Sequence, residues 1–227
     1  MKYFYLYIFI IGCILFAVSY YNTITNSIIE SFNAEKQKII LLGDSIFKND
    51  AYVSDGQSVD EILKNRTNGK TLCLAADHSK IVDVYEQIGN IPDSLNTNLT
   101  TVFLSVGGND ILTHYVDKEN DNTDTSILSV MLSSYKKVMQ NIRDKLPKAN
   151  IVVLDIYYPE NMKYKQYHSI INEWNTMLYN YAGEPKNRIN SVFKISSILT
   201  QPEDFSFGIE PSAIGSKKMV ESILTSY

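Results

Sequence analysis

Apolar positions along the chain fall into runs of two kinds. Short unbroken runs, Ile39–Leu42, Thr101–Val106 and Ile151–Ile156, have the length and β-branched content of strands buried on both faces. Between them lie segments with apolar residues at helical spacing. Val59, Ile62 and Leu63 mark a helix over Ser58–Arg66 with Ser58 as its cap, and Ile81, Val84, Tyr85 and Ile88 mark one over Ser79–Ile88. A long amphipathic helix spans Ile127–Leu146 and is stopped by Pro147; another covers Tyr164–Tyr181, and a last one Ser212–Leu224. The aromatic stripe Tyr164, Tyr167, Trp174 and Tyr181 reads as core packing. Weaker strands are expected at Lys70–Ala75 and Ser191–Ile195, and a polar loop at Asp117–Thr125. Strands alternating with helices predict an α/β fold, a three-layer α/β/α sandwich whose parallel sheet has about five strands.

The amino-terminal pattern is different. Residues 3–21 carry no charge behind a single Lys2, and as a helix they span about 28 Å, close to a bilayer's hydrocarbon core. Tyrosines at both ends suit the membrane interface. The segment reads as a membrane anchor, with a cleaved signal peptide ending near Ala17-Val18-Ser19 as the competing reading. Ile10-Ile11-Gly12-Cys13 loosely resembles a lipoprotein cleavage box, but the apolar run continues past Cys13. The chain therefore divides into a lead segment at 1–21, a polar stalk at 22–37 and a domain at 38–227, with the domain expected on the exported side.

Composition narrows the function. The net charge is −4, and the basic residues, 18 Lys and 3 Arg, form no dense cluster, which argues against a nucleic-acid surface. Two cysteines, Cys13 and Cys73, make no disulfide framework, and no metal-ligand spacing joins them to His78, His114 or His168. Asn65-Arg66-Thr67 and Asn98-Leu99-Thr100 are glycosylation sequons, which matter only in a eukaryotic secretory lumen.

Two stretches carry candidate chemistry. Ile39-Ile40-Leu41-Leu42 ends abruptly in Gly43-Asp44-Ser45, which sets Ser45 at the carboxyl end of a strand, where open α/β sheets bind ligands. Gly107-Gly108-Asn109-Asp110 follows the next long apolar strand and so lies on the same edge, with the Asn109 amide available as an oxyanion donor. Each has a plainer reading, a turn with a helix cap in the first and an Asx turn in the second.

Together the stretches resemble the GDSL/SGNH hydrolases over about residues 38–225, most sharply in Leu41–Tyr52, Leu74–Gln87, Ser105–Leu112 and Ile209–Met219. The resemblance implies a flavodoxin-like fold and an ester hydrolase needing no metal or cofactor. Ser45 would be the nucleophile, and Asn109 with the N–H groups of Ser45 and residue 78 the oxyanion hole. Asp44, Gly108 and Asp110 would border the substrate. Two departures stand out. His78 occupies the place of a customary glycine, which suits an oxyanion donor only if φ there need not be positive; it is otherwise a bystander, a substrate contact or a substitute base. The usual Asp-x-x-His-Pro-Ser ending is Phe207-Gly208-Ile209-Glu210-Pro211-Ser212 here, so Phe207 replaces the acid and Glu210 the histidine. This is similar to a subgroup ending in Ile-Glu-Pro-Ser, which Ser45-Ile46-Phe47 and Ala51-Tyr52-Val53 also resemble.

Glutamate is about two pKa units weaker as a base than histidine, a gap that burial narrows. The expected function is a serine esterase acting on an O-acyl ester of a lipid, glycan or small molecule, with Glu210 as base and residues 3–21 at a membrane. A binding module that has lost catalysis, and an O-acyltransferase, are the alternatives.

Overall fold

The computed structural model describes residues 37–116 and 126–226, together with residues 15, 16 and 18–21, which are helical. The chain forms two units, Met1–Lys36 and Gln37–Tyr227. Most of the apolar lead segment, the stalk up to residue 36 and the loop at 117–125 lie outside the described residues, so the expectations placed on them do too. Among the described residues no helix is long and apolar enough to cross a membrane.

The second unit is built on a five-stranded sheet, all parallel, in the order β2-β1-β3-β4-β5. The strands are β1 (Lys38–Gly43), β2 (Thr71–Cys73), β3 (Thr100–Ser105), β4 (Asn150–Leu154) and β5 (Ser191–Phe193). Among the described residues six α-helices accompany them: α1 (Val59–Arg66), α2 (Val84–Gly89), α3 (Gly108–Val116), α4 (Ser126–Lys145), α5 (His168–Gly183) and α6 (Ala213–Ser226). A short antiparallel pair, β6 (Phe205–Ser206) and β7 (Glu210–Pro211), precedes α6.

Alternation along the strands explains the layers. Ile40, Leu42, Val102, Leu104, Ile151 and Val153 join one buried cluster with residues of α2, α3, α4 and α5. Their neighbours Ile39, Leu41, Phe103, Val152 and Leu154 point the other way, into a second cluster closed by Val59 and Leu63 of α1 and Met219, Val220 and Ile223 of α6. Successive strand side chains face opposite sides, so a strand apolar at every position needs cover on both. The three-layer α/β/α architecture follows.

Local chemistry sets the helix ends. Ser58 caps α1 through a reciprocal box: its hydroxyl accepts the Glu61 N–H at 3.3 Å and the Glu61 carboxylate accepts the Ser58 N–H at 3.3 Å. The helix expected over Ser79–Ile88 instead opens as a loop and a 3₁₀ turn at Ile81–Asp83 before α2. Likewise Met162–Tyr167 is a 3₁₀ segment ahead of α5. Trp174 is fully buried and meets Tyr135 edge-on at 5.6 Å between ring centres; Tyr167 is buried in the same cluster, with Tyr164 and Tyr181 packed against it, so the aromatic stripe is core packing that begins in the 3₁₀ segment and continues into α5.

Candidate active site

Parallel strands bring the carboxyl ends of β1 and β3 side by side, with Gly43 paired to Ser105. At Gly43 the backbone turns with φ +124°, and a Cβ there would lie 1.7 Å from the Ser105 carbonyl oxygen, so only glycine fits. The buried Gln87 of α2 grips this peptide from both sides: Oε1 accepts the Gly43 N–H at 2.7 Å, and Nε2 donates to the Gly43 carbonyl at 2.9 Å. Ser45 follows in a turn closed by the Phe47 and Lys48 N–H groups on the Asp44 carbonyl. Its own N–H makes no hydrogen bond among the described residues.

Asp44 and Ser45 are both buried. Asp44 Oδ1 accepts the Ile46 N–H and the Ser105 hydroxyl, each at 3.2 Å. Burial, reinforced by the nearby Glu210 charge, pushes its carboxyl up to about 8 against these two bonds. Asp44 is therefore a neutral acid at physiological pH.

Asn109 stands in the first turn of α3, and its amide donates to the Ser79 carbonyl at 3.1 Å. The bond reaches across to the loop after β2, so this side chain makes no local Asx turn. One amide hydrogen remains for the crevice. Its neighbour Asp110 turns the other way: its carboxylate accepts the Ile81 N–H at 3.1 Å and caps that 3₁₀ turn. Asp110 is absent from the crevice wall, unlike Asp44, Gly108 and Asn109, so a substrate contact is not where the structure places it.

Residue 78 also departs from expectation. His78 adopts φ +59°, the left-handed conformation that the customary glycine would accept freely. Its N–H donates to Asp77 Oδ1 at 2.8 Å, and its ring is 82% exposed. The N–H expected as an oxyanion donor is thus committed to a neighbouring carboxylate, and His78 does not line the crevice.

Glu210 is brought to Ser45 by the β6–β7 hairpin. Burial raises its carboxyl above the usual glutamate range; the Ser45 hydroxyl and His78 oppose the rise, and Asp77 adds to it. The Ser45 hydroxyl is therefore near enough to the carboxylate to favour its charged form. Glu210 Oε2 is buried with no hydrogen-bond partner among the described residues. Phe207 does not orient it: the ring is 78% exposed at the hairpin tip, with φ +53°, edge-on to Tyr52 at 6.2 Å between ring centres.

Three residues around this site carry no signal readable in the sequence alone. Asn49, fully buried, donates to the Pro211 carbonyl and the Ser216 hydroxyl, both at 2.8 Å, and accepts the Val59 N–H at 2.9 Å. It fastens the Ser45 turn to β7, α6 and α1. Tyr52 donates to Asp77 Oδ2 at 2.7 Å, and both sense the Glu210 charge. Tyr52 and Asp77 lie in the stretches of sharpest resemblance, but nothing in their type or spacing assigns them a task. Cys73 is no rival nucleophile, since burial pushes its thiol up to about 12.

The crevice beside Ser45 is narrow, about 60 Å³, with walls from Val106, Ile111, Leu112, Ile156, Tyr167 and Ile171 among others. A buried hydroxyl, a carboxyl of raised basicity and two unspent N–H donors at the mouth of an apolar slot suit nucleophilic attack on a carbonyl.

No family model matches the chain, and no curated protein matches it by sequence. Its likeness is to solved structures. A lipolytic G-D-S-L family protein from Veillonella parvula superposes with a TM-score of 0.61 at 19% identity, covering 84% of this chain and 98% of that one. A lipase from a goat rumen metagenome gives 0.66 at 17%, over 84% and 97%. A family 3 carbohydrate esterase from Clostridium thermocellum gives 0.55 at 21%, over 84% and 98%. At these identities the likeness establishes a shared fold, the α/β fold of GDSL-type lipases and esterases.

Proposed function

We propose, from that fold and from the placement of Glu210 against Ser45, that the chain is a serine esterase hydrolysing short O-acyl esters. The observation that carries the reading is a carboxyl of raised pKa beside a buried serine at the mouth of an apolar slot. Ser45 Oγ attacks the acyl carbon and passes its proton to Glu210. The oxyanion accepts from the Ser45 N–H and from the free Asn109 amide hydrogen. Collapse breaks the ester C–O bond, and the departing alcohol takes the proton from Glu210. Water then attacks the acyl-serine with Glu210 again as base, releasing the acid and restoring Ser45. A carboxyl with raised pKa both accepts the serine proton more readily and holds it until the alcohol leaves.

The slot volume argues for a small acyl group. At roughly 10–15 Å³ per water, about 60 Å³ has room for a handful of non-hydrogen atoms. Acetyl esters should therefore be turned over ~10-fold or more faster than octanoyl esters of the same alcohol. We place the domain on the exported side of a membrane, by way of the apolar run at residues 3–21.

A fluorophosphonate probe tests the core of this reading. Labelling of the intact protein at Ser45, identified by peptide mass and lost in Ser45→Ala, supports it. A chain that is folded and unlabelled leaves the non-catalytic binding module instead. Product analysis with added sugar or glycerol separates hydrolysis from acyl transfer.

A further inference from the structure

The opposite edge of the sheet holds a second polar feature. Arg143, in the last turn of α4, is only 9% exposed. Its Nη1 donates to the Ala149 carbonyl at 3.2 Å, but Nε and Nη2 are shut from solvent and have no partner among the described residues. Burial, with Arg188 as a second influence, depresses its pKa from the usual arginine value. A guanidinium stays charged in a protein all the same, so this one is a buried cation short of hydrogen bonds.

Arg143 and Arg188 line one groove of about 300 Å³, together with Tyr181, Lys186, Asn187 and Asp144. Arg188 is held there by a left-handed turn, φ +52°, and by donation from Nη2 to the Pro147 carbonyl at 3.1 Å. The wall also carries one lysine, Lys186, and one carboxylate, Asp144. Lys186 pairs with Glu184 at 2.8 Å, and Asp144 Oδ1 accepts the Gln140 amide at 2.8 Å. Neither arginine has a carboxylate in ion-pair contact among the described residues. Two guanidinium groups therefore share a groove whose wall holds one carboxylate, Asp144, and neither is in ion-pair contact with it.

From this juxtaposition we infer that the groove is an oxyanion site, taking the phosphate group of a small solute. Planar guanidinium forks match phosphate oxygens in pairs, and two such forks favour a dianion over a single carboxylate. The residues belong to α4, to the turn before β4, to the last turn of α5 and to the segment between it and β5. These are the amino ends of parallel strands, whereas Ser45 and Asn109 follow carboxyl ends. The site is thus separate from the esterase crevice and stands whether or not Ser45 is a nucleophile.

Thermal melts of the whole chain in inorganic phosphate, against chloride at equal ionic strength, test the inference. The wild type should show a saturating rise in Tm with phosphate, and acetate should give a smaller rise. Arg143→Met should abolish the phosphate response while melting no lower than wild type in chloride, because it removes an unpaired buried charge. Arg188→Asn, at an exposed position whose left-handed backbone asparagine tolerates, should move the phosphate midpoint ~10-fold higher. It should leave turnover of a small ester unchanged. No saturating shift in the wild type, an undiminished shift in Arg188→Asn, or a larger response to acetate than to phosphate would each overturn the inference. Where Arg143→Met does not fold, Arg188→Asn decides alone.

Discussion

At the scale of single residues, the carboxyls around Ser45 divide by environment. Asp44 is held neutral by burial, so its folded-state pKa of about 8 stands far above the 3.8 of an ordinary aspartate. A carboxyl raised in this way stabilises the fold fully below its unfolded pKa, and that contribution is lost as pH rises through the folded one. Melts should therefore fall progressively from about pH 4 to about pH 8, and Asp44→Asn should flatten that slope. An unchanged slope would mean that Asp44 ionises freely in the folded protein. In the proposed esterase Glu210 has the opposite consequence for rate, since only its carboxylate would accept the serine proton. Ester turnover should climb with pH through a midpoint above the 4.5 of an ordinary glutamate. Glu210→Gln should lower kcat by roughly 10²–10⁴ without disturbing the melt, which steady-state kinetics on an acetyl ester would read directly. The sequence brought Ser45, Asn109 and Glu210 forward as candidates because each stands at the end of a strand or in a motif whose neighbours are distinctive, and all three line one crevice. It did not reveal that His78 turns its N–H onto Asp77, because a backbone dihedral of a single residue leaves no trace in composition or periodicity.

At the scale of elements, strand and helix positions were legible wherever burial forces a period. The runs at 39–42, 101–106 and 151–156 became the three central strands, and the helix expected at Ile127–Leu146 is α4 within a residue of each end. The β6–β7 hairpin was not legible. Each strand is two residues long, too short for any period, and it exists because tertiary contacts hold it. Asp204 is one of those contacts: its buried carboxylate accepts the Thr200 and Gln201 N–H groups at 3.0 Å each and pairs with Lys218 of α6 at 2.6 Å. Asn49 is another, joining the Ser45 turn to the far end of the hairpin. Asn49→Leu should leave the Pro211 carbonyl, the Ser216 hydroxyl and the Val59 N–H without this partner. An unmade buried bond costs about 1–3 kcal/mol, so chemical denaturation should show a loss of that order or more. Turnover should fall as well, since Glu210 rides on the loosened strand. A stable but slow Asn49→Leu would assign the residue to geometry alone.

At the scale of the whole molecule, the sheet has its two faces covered by helices from different parts of the chain. One face is closed by α2 to α5 in succession, and the other by α1 together with α6, the last helix described. Deleting residues 213–227 should uncover Leu41, Phe103 and Val152 and send the protein to the insoluble fraction, whereas a soluble, cooperatively melting truncation would mean that α1 suffices. The clasp at Asn49 gives this closure a direction in time. During synthesis the Ser45 turn leaves the ribosome early in the domain, and two of the groups that Asn49 holds, on Pro211 and Ser216, follow 162 and 167 residues after Asn49. Until they arrive, the nascent chain carries an unfinished sheet with one oily face open, a state that calls for chaperones and invites wrong partners. The same order delays the proposed site: Glu210 can join Ser45 only after the strands between them have been made.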